Sequence, residues 1–393
     1  MIEQLLAKRM SRLGTETAFE VLAKAKKLEA AGRSVVHLEI GEPDFDTPQN
    51  IIDGAIQALT GGFTHYTPAA GLTDVRQTIA DYVQSWKQVP TTLEEVVIVP
   101  GGKPIMFFIM MALIESGDEV LYPNPGFPIY ESMINFAGGK AVPMPLLEEN
   151  DFRLDLRDVA AKITDRTKLI IINSPANPTG GCLTKSDLEQ IADLVRDKNI
   201  LVMSDEIYDR IIYDGTPFSI ARLPGMKERT IILDGFSKTY AMTGWRLGYG
   251  VMPVALAERV TKLMTNSNSC TAAFTQMAGK AALTGPQDAV DAMVNEFRRR
   301  RDIIVEGLNR IPGISCVMPH GAFYAFPNVR KLGMPSKQLA DYLLQEGGVA
   351  ALGGTSFGEY GEGHLRLSYA NSVENIQLAL ERIEAAVGKL GKC

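Results

Sequence analysis

Lys238 sits in the run Gly235-Phe-Ser-Lys-Thr-Tyr-Ala-Met-Thr-Gly-Trp-Arg246. Just upstream, 230–233 (Thr-Ile-Ile-Leu) reads as a short buried strand, and the turn after it is rich in glycine and serine. In open α/β sheets, ligands bind at the C-terminal ends of strands, which is where this lysine falls. A partly desolvated amine has a lowered pKa, and its neutral form condenses with a carbonyl to a Schiff base. Arg246, eight residues on, offers a forked donor suited to a phosphate. An amine for an aldehyde and a guanidinium for a phosphate together suit pyridoxal phosphate. Taken alone, a surface lysine and an ion-paired arginine explain the two residues equally well.

More polar residues fall at matching places. The strand 168–173 runs into Ser174-Pro-Ala-Asn177-Pro-Thr-Gly, and the strand 200–204 runs into Asp205, Glu206 and Tyr208. Three successive strands therefore end near Asn177, Asp205 and Lys238. Right-handed crossovers between parallel strands put those ends along one edge of one sheet. A carboxylate there can hold a pyridine nitrogen protonated. An amide and a phenol can hydrogen-bond a ring oxygen.

The strand 95–99 leads into Pro100-Gly101-Gly102-Lys103-Pro104 and an apolar helix reaching about 114. Glycines at such a turn let backbone N–H groups face an anion at the helix start, and Pro104 fits a first turn. The strand 119–122 ends in Pro-Asn-Pro-Gly-Phe127-Pro, a stiff frame. Phe127 either stacks on a flat ring or packs in the core. Tyr66, on the loop 64–71, packs under that loop or donates to a phosphate. Gly41, after the strand 35–40, is a turn glycine or a point of close approach by a ligand.

The elements that position these residues alternate. Helical periodicity covers 15–32, 49–59, 73–86, 185–198, 288–311 and 372–387, with Gly32 as a stop and Thr184 as a cap. Strands 321–326 and 363–369 fall near the end. The pattern predicts an α/β fold: a large domain (48–285) with a mostly parallel central sheet flanked by helices. A smaller α+β domain is built from both chain ends, 1–47 and 286–393. Arg298–Arg301 reads as a solvated helix face.

Bulk properties exclude several classes. The 393 residues are 46% hydrophobic and 22% charged, ordinary for a globular enzyme. A net charge of -6 argues against nonspecific binding to nucleic acid or anionic membrane. No apolar run reaches the roughly 18 residues of a spanning helix. Cys182, Cys270, Cys316 and Cys393 lie far apart with no C-x-x-C, which predicts reduced thiols in the cytoplasm, with Cys393 exposed. The four histidines show no metal-ligand spacing, so no metal is expected. No G-x-G-x-x-G follows the first strand, which excludes a dinucleotide dehydrogenase.

Taken together, Ser237-Lys-Thr-Tyr-Ala-Met-Thr-Gly-Trp-Arg246-Leu-Gly, Asn177-Pro-Thr-Gly, Ser204-Asp-Glu-Ile-Tyr208 and His364-Leu-Arg366-Leu-Ser-Tyr369 resemble the fold-type I, class I pyridoxal-phosphate-dependent aminotransferases. The motifs are closest to those of prokaryotic aspartate enzymes, and the resemblance runs from about 38 to about 372. It implies that Lys238 forms the Schiff base with the cofactor and then moves a proton between substrate and cofactor. It implies that Asp205 pairs with the pyridine nitrogen, that Asn177 and Tyr208 bond the ring oxygen, and that Phe127 covers the ring. Gly101, Gly102 and Lys103 supply backbone amides to the phosphate, and Arg246 its charge. Tyr66 matches a tyrosine reaching the neighbouring subunit's phosphate, which implies a homodimer with shared sites. Gly41, Asn177 and Phe127 border the substrate, and Arg366 binds its α-carboxylate.

Some members carry a phosphate-binding serine where this chain has Gly235, so Ser237 is the substitute candidate. Residues 268–274 offer no arginine for a second carboxylate. Lys103 matches the lysine that reads the distal carboxylate in many prokaryotic aspartate enzymes, although Pro104 follows where glutamine is usual. The expectation is therefore a ping-pong aminotransferase using 2-oxoglutarate, with a dicarboxylate donor ahead of an aromatic or broad one. The alternatives are a C–S or β-elimination lyase on the same scaffold and, remotely, a non-catalytic cofactor-sensing module. That module would need an added DNA-binding domain, which the pattern does not predict.

Overall fold

A computed structural model describes residues 2–390. Cys393 lies outside the described residues. β1 (Val36–His37) comes first in the chain. Seven strands follow: β2 (Val96–Val99), β3 (Glu119–Asn124), β4 (Lys140–Pro145), β5 (Thr167–Asn173), β6 (Leu201–Asp205), β7 (Thr230–Gly235) and β8 (Gly248–Val251). They form one sheet in the order β2-β8-β7-β6-β5-β3-β4. Only β8 runs antiparallel to its neighbours. β9 (Tyr324–Ala325), β10 (Val349–Ala350), β11 (Leu352–Gly353) and β12 (Leu365–Ser368) complete the set.

A sheet covered on both faces needs apolar residues on both, and the strand sequences supply them. Val97, Val99, Leu169, Ile171, Met203, Ile231 and Leu233 pack with the helices Lys103–Leu113 and Val254–Ser267. Their alternating neighbours, such as Val96, Ile98 and Ile232, join a second core with the helices Gln49–Thr60 and Ala273–Thr284. Ile170, Ile172 and Val202 join a third with the helix Lys185–Val195. That last helix starts as foreseen: Thr184 Oγ accepts from Asp187 N, and Asp187 accepts from Thr184 N.

Two strands of the sheet escaped the sequence reading. β8 is Gly-Tyr-Gly-Val, too short and glycine-rich to announce itself. β4 carries two prolines, which an edge strand tolerates.

The remaining strands form two small sheets outside the central one. β1 pairs in parallel with β10, joining the two ends of the chain. β12 lies between β11 and β9. The helices Asp288–Arg310 and Val373–Leu390 cover them, with Phe297, Ile304, Ile376 and Ile383 in the core. The expected strand 35–40 shrinks to two residues, because β10, with which it pairs, is equally short; Ile40 to Asp44 then line a cavity at the ends of the central strands. Arg298–Arg301 is corrected as well. Arg300 and Arg301 are buried, paired with Asp44 at 2.7 Å and Asp214 at 2.6 Å. Charge periodicity alone could not show that acidic residues from distant loops fold over this helix. Among the described residues, no helix is long and apolar enough to cross a membrane.

Candidate active site

β5, β6 and β7 are adjacent and parallel, so their C-terminal ends align. Asn173, the last residue of β5, lies in register with Asp205, the last of β6. Asn173 ties the two ends together. Its Nδ2 donates to the Asp205 carbonyl at 3.1 Å, and its Oδ1 accepts from Asn177 N at 2.9 Å. A cavity of about 870 Å³ opens over these ends, bordered by Asn177, Asp205, Tyr208, Lys238, Arg246 and Arg366. Gly41, Gly102, Lys103, Phe127 and Ser237 also border it.

Asp205 is buried and accepts from the Tyr130 hydroxyl and, at 3.3 Å, from Ile207 N. Burial raises its pKa to about 6, against the lowering effect of the Tyr130 bond. Lys238 Nζ donates to the Gly41 carbonyl. Burial of the amine lowers its pKa to about 8. Among the described residues its polar partner is that backbone oxygen, with no carboxylate in ion-pair range.

Arg366 is buried, and burial lowers its pKa too. Nη1 donates to Asn177 Oδ1 at 3.2 Å and Nη2 to the Glu39 carbonyl, while Nε has no partner. The guanidinium lies 4.7 Å from the Tyr324 ring centre and 4.9 Å from that of Phe357. A buried cation with an unmet donor and no acid beside it is arranged to receive an anion.

Tyr208 and Tyr324 share a hydrogen bond of 2.7 Å between their hydroxyls. Tyr324 also explains Gly41, since a Cβ there would stand 2.4 Å from the Tyr324 hydroxyl.

At the other end of the cavity, Gly102 opens the helix Lys103–Leu113, whose first N–H groups lack partners within the helix. Gly101 has φ +83, and a Cβ on it would come 2.2 Å from Arg246 Nη2. Glycine is thus required both by the turn and by the guanidinium lying against it. Arg246 Nη1 donates to the Thr243 carbonyl at 2.7 Å, which aims the fork.

Phe127 stands edge-on to Tyr130, with ring centres 5.7 Å apart, and Lys103 Nζ lies 5.5 Å from its ring centre. Lys103 is also ion-paired with Glu16. Tyr66 is 90% exposed and does not border the cavity of its own chain.

The sequence reading missed Tyr130, Asn173, Tyr324 and Glu16. Asn173 had a signal, being the polar end of an apolar strand. Tyr324 comes from β9, outside the central sheet, and nothing in its local sequence points to the cavity.

The family model described as aminotransferase class I and II matches residues 33–383. The chain belongs to this family. An aspartate aminotransferase of Pyrococcus abyssi is 41% identical to it over 92% of this chain and 94% of its own. The crystal structure of an aromatic aminotransferase from Pyrococcus horikoshii superposes with a TM-score of 0.89 at 42% identity, covering 94% of this chain and 99% of that one. An aspartate aminotransferase from Thermus thermophilus with maleate gives 0.92 at 37% identity, covering 97% and 99%.

This aminotransferase therefore depends on pyridoxal phosphate and moves an amino group from an amino acid to a 2-oxo acid in two half-reactions. The residues present fit that cofactor. They include an amine with a depressed pKa, a buried carboxyl short of a cationic partner, and an exposed guanidinium against a glycine turn at a helix start.

Proposed function

We propose that the preferred donor of this aminotransferase is a dicarboxylic amino acid, aspartate first, with 2-oxoglutarate as acceptor. The observation that carries this is the Lys103 ammonium, on the wall of the cavity that also holds Lys238 and Arg366. The cavity offers a forked cation for one carboxylate and a point cation for a second.

The residue roles follow from chemistry. Bound cofactor supplies an electron sink for the pair released when a Cα–H bond breaks. Gly101, Gly102 and Lys103 would hold its phosphate through backbone N–H groups, with Arg246 and Ser237 beside them. Asp205 would hold a proton at the ring nitrogen, and that cation would in turn keep Asp205 ionised below its present pKa of about 6. Asn177 and Tyr208 would donate to the ring oxygen, and Phe127 would cover the ring and exclude water from it. Arg366 would receive the substrate α-carboxylate on its fork, with Gly41 closing over it. Lys238, with its amine near neutrality, would take the proton from Cα and return it on the cofactor side.

Tyr66 supports a homodimer with shared sites. It is 90% exposed and does not line its own cavity, as expected of a residue serving a second subunit. We further propose boundaries at 47/48 and 285/286 between the lobes, since β1 pairs with β10 across the chain ends. The free cysteines Cys182, Cys270 and Cys316 support a cytoplasmic setting.

The test is kcat/KM for L-aspartate, L-glutamate, L-phenylalanine and L-tyrosine in the wild type and Lys103→Ala. The aspartate-to-phenylalanine ratio should fall about tenfold, the size of one charge-assisted hydrogen bond. An unchanged ratio would remove Lys103 as the reader. A second reading, an aromatic donor, is favoured by one observation: Lys103 is already paired with Glu16.

A further inference from the structure

That pair has no place in the roles given above. Glu16 belongs to the segment entering the helix Ala18–Ala30, and the segment is tied down. Gly14 N donates to Ser132 Oγ at 2.9 Å, and Ser132 Oγ donates back to the Gly14 carbonyl at 3.4 Å. Ser132 lies on the helix Ile129–Ala137, the same helix whose Tyr130 donates to Asp205. The strap carrying Glu16 is thus registered to the element that supports the buried carboxyl.

Glu16 is half-buried on the cavity wall, and its Oε1 accepts from Lys103 Nζ. The Phe127 ring lies 5.5 Å from Lys103 Nζ, and Phe19, Leu22 and Met106, close in sequence to Glu16 or Lys103, add apolar side chains to the cavity lining. The ammonium proposed to read a second carboxylate already holds one from its own chain, in a corner that otherwise suits an uncharged side chain.

We infer that Glu16 is a specificity-determining residue whose carboxylate occupies, on Lys103, the place of a substrate's distal carboxylate. A dicarboxylic substrate must displace it. A substrate with an uncharged side chain leaves the pair closed and packs against the apolar corner. Glu16 thereby narrows the gap between dicarboxylic and aromatic donors, and one cavity serves both. This rests on the reading of Lys103 given above.

Glu16→Gln keeps the size of the side chain and the Gly14–Ser132 tie while removing the charge. The experiment uses the cofactor-loaded enzyme as wild type, Glu16→Gln, Lys103→Ala and the double variant. It measures kcat/KM for L-aspartate and L-phenylalanine, together with calorimetric Kd values for succinate and 3-phenylpropionate, which carry no amino group and do not turn over. Glu16→Gln should raise the aspartate-to-phenylalanine ratio about three- to fivefold and tighten succinate by a similar factor, as expected for an ion pair half open to water. Lys103→Ala should lower the ratio, and in its background Glu16→Gln should change it no further.

If Lys103→Ala lowers the ratio while Glu16→Gln leaves or lowers both the ratio and succinate affinity, Glu16 has no such role and the dicarboxylate reading stands. If Lys103→Ala leaves the ratio unchanged, the reading of Lys103 fails and the inference falls with it.

Discussion

Two lysines reach the interior near the same strand ends, and their surroundings give them opposite character. Lys87 ends a wide helical turn, Val83–Lys87, and is buried among three carboxylates. Its Nζ lies 3.0 Å from Glu206 and 2.9 Å from Asp234, and it is also paired with Asp209. Burial pulls its pKa down, but the three acids outweigh burial and hold it well above the usual 10.5. Lys238 has one backbone oxygen and no acid, so burial prevails and its pKa falls to about 8.

The acids around Lys87 interleave in sequence with the cavity residues. Glu206 follows Asp205, Asp209 follows Tyr208, and Asp234 lies four residues before Lys238. Neighbouring residues thus serve two uses. One set neutralises a buried cation and fixes the strand ends. The other leaves an amine uncompensated, which keeps it reactive.

The same kind of change at the two lysines should therefore separate them. Lys238→Ala should abolish transamination, a loss of at least about 10²–10⁴-fold from its proposed proton-moving role alone, read by steady-state rates. Lys87→Met should act on stability. Removing one partner from a buried ionic cluster costs about 3–5 kcal/mol, read from urea midpoints. Asp209 and Asp234, whose folded pKa values burial already raises, would then lie further above their unfolded ones. That raises the deficit as pH rises and shrinks it as pH falls, the sign to check between pH 5 and 8.

Lys238→Met should have the opposite sign in the cofactor-free protein. With a folded pKa of about 8 against 10.5 unfolded, the ammonium destabilises the fold below pH 8, and that penalty is relieved as pH rises from about 8 to 10.5. The variant should be more stable than the wild type at pH 7, by about 1–3 kcal/mol. Arg366→Lys should lower kcat/KM about 10- to 100-fold through loss of the two-pronged contact, read on L-aspartate.

The smallest effect is kinetic. The rate at which Lys238 takes up pyridoxal phosphate should rise about tenfold from pH 7 to 9 and then level off. An amine of ordinary pKa would gain about a hundredfold over the same range and keep climbing.

Much of this was legible from the chain. The runs 95–99, 168–173, 200–204 and 230–233 carried enough apolar residues to be read as strands, and β5, β6 and β7 are indeed neighbours. Lys238, Asp205 and Asn177 stood out because polar residues at the ends of such runs need a reason, whereas Arg366, inside β12, was legible only through the family resemblance of its segment. What escaped depended on long-range contact. Tyr130 reads as one more aromatic on a helix until Asp205 is seen against it. Tyr324 reaches the cavity from β9, outside the central sheet, and the nearby pairing of β1 with β10 spans 313 residues of sequence, from Val36 to Val349. Glu16 and Lys103 lie 87 residues apart, and Lys87 sits 122 from Asp209. Pairs this distant leave no mark in local periodicity. Arg300 and Arg301 misled for the same reason, since Asp44 and Asp214, which help bury them, come from distant loops, whereas Arg298 and Arg299 are exposed as read.

The most direct test of the account is a single half-reaction. The cofactor-loaded protein is mixed with L-aspartate and no 2-oxo acid, and oxaloacetate and ammonia are counted. The account predicts about one oxaloacetate per site, no ammonia, and a stop until 2-oxoglutarate is added, with none of this in Lys238→Ala. Keto acid that keeps accumulating alongside ammonia, or an undiminished reaction in Lys238→Ala, would contradict it.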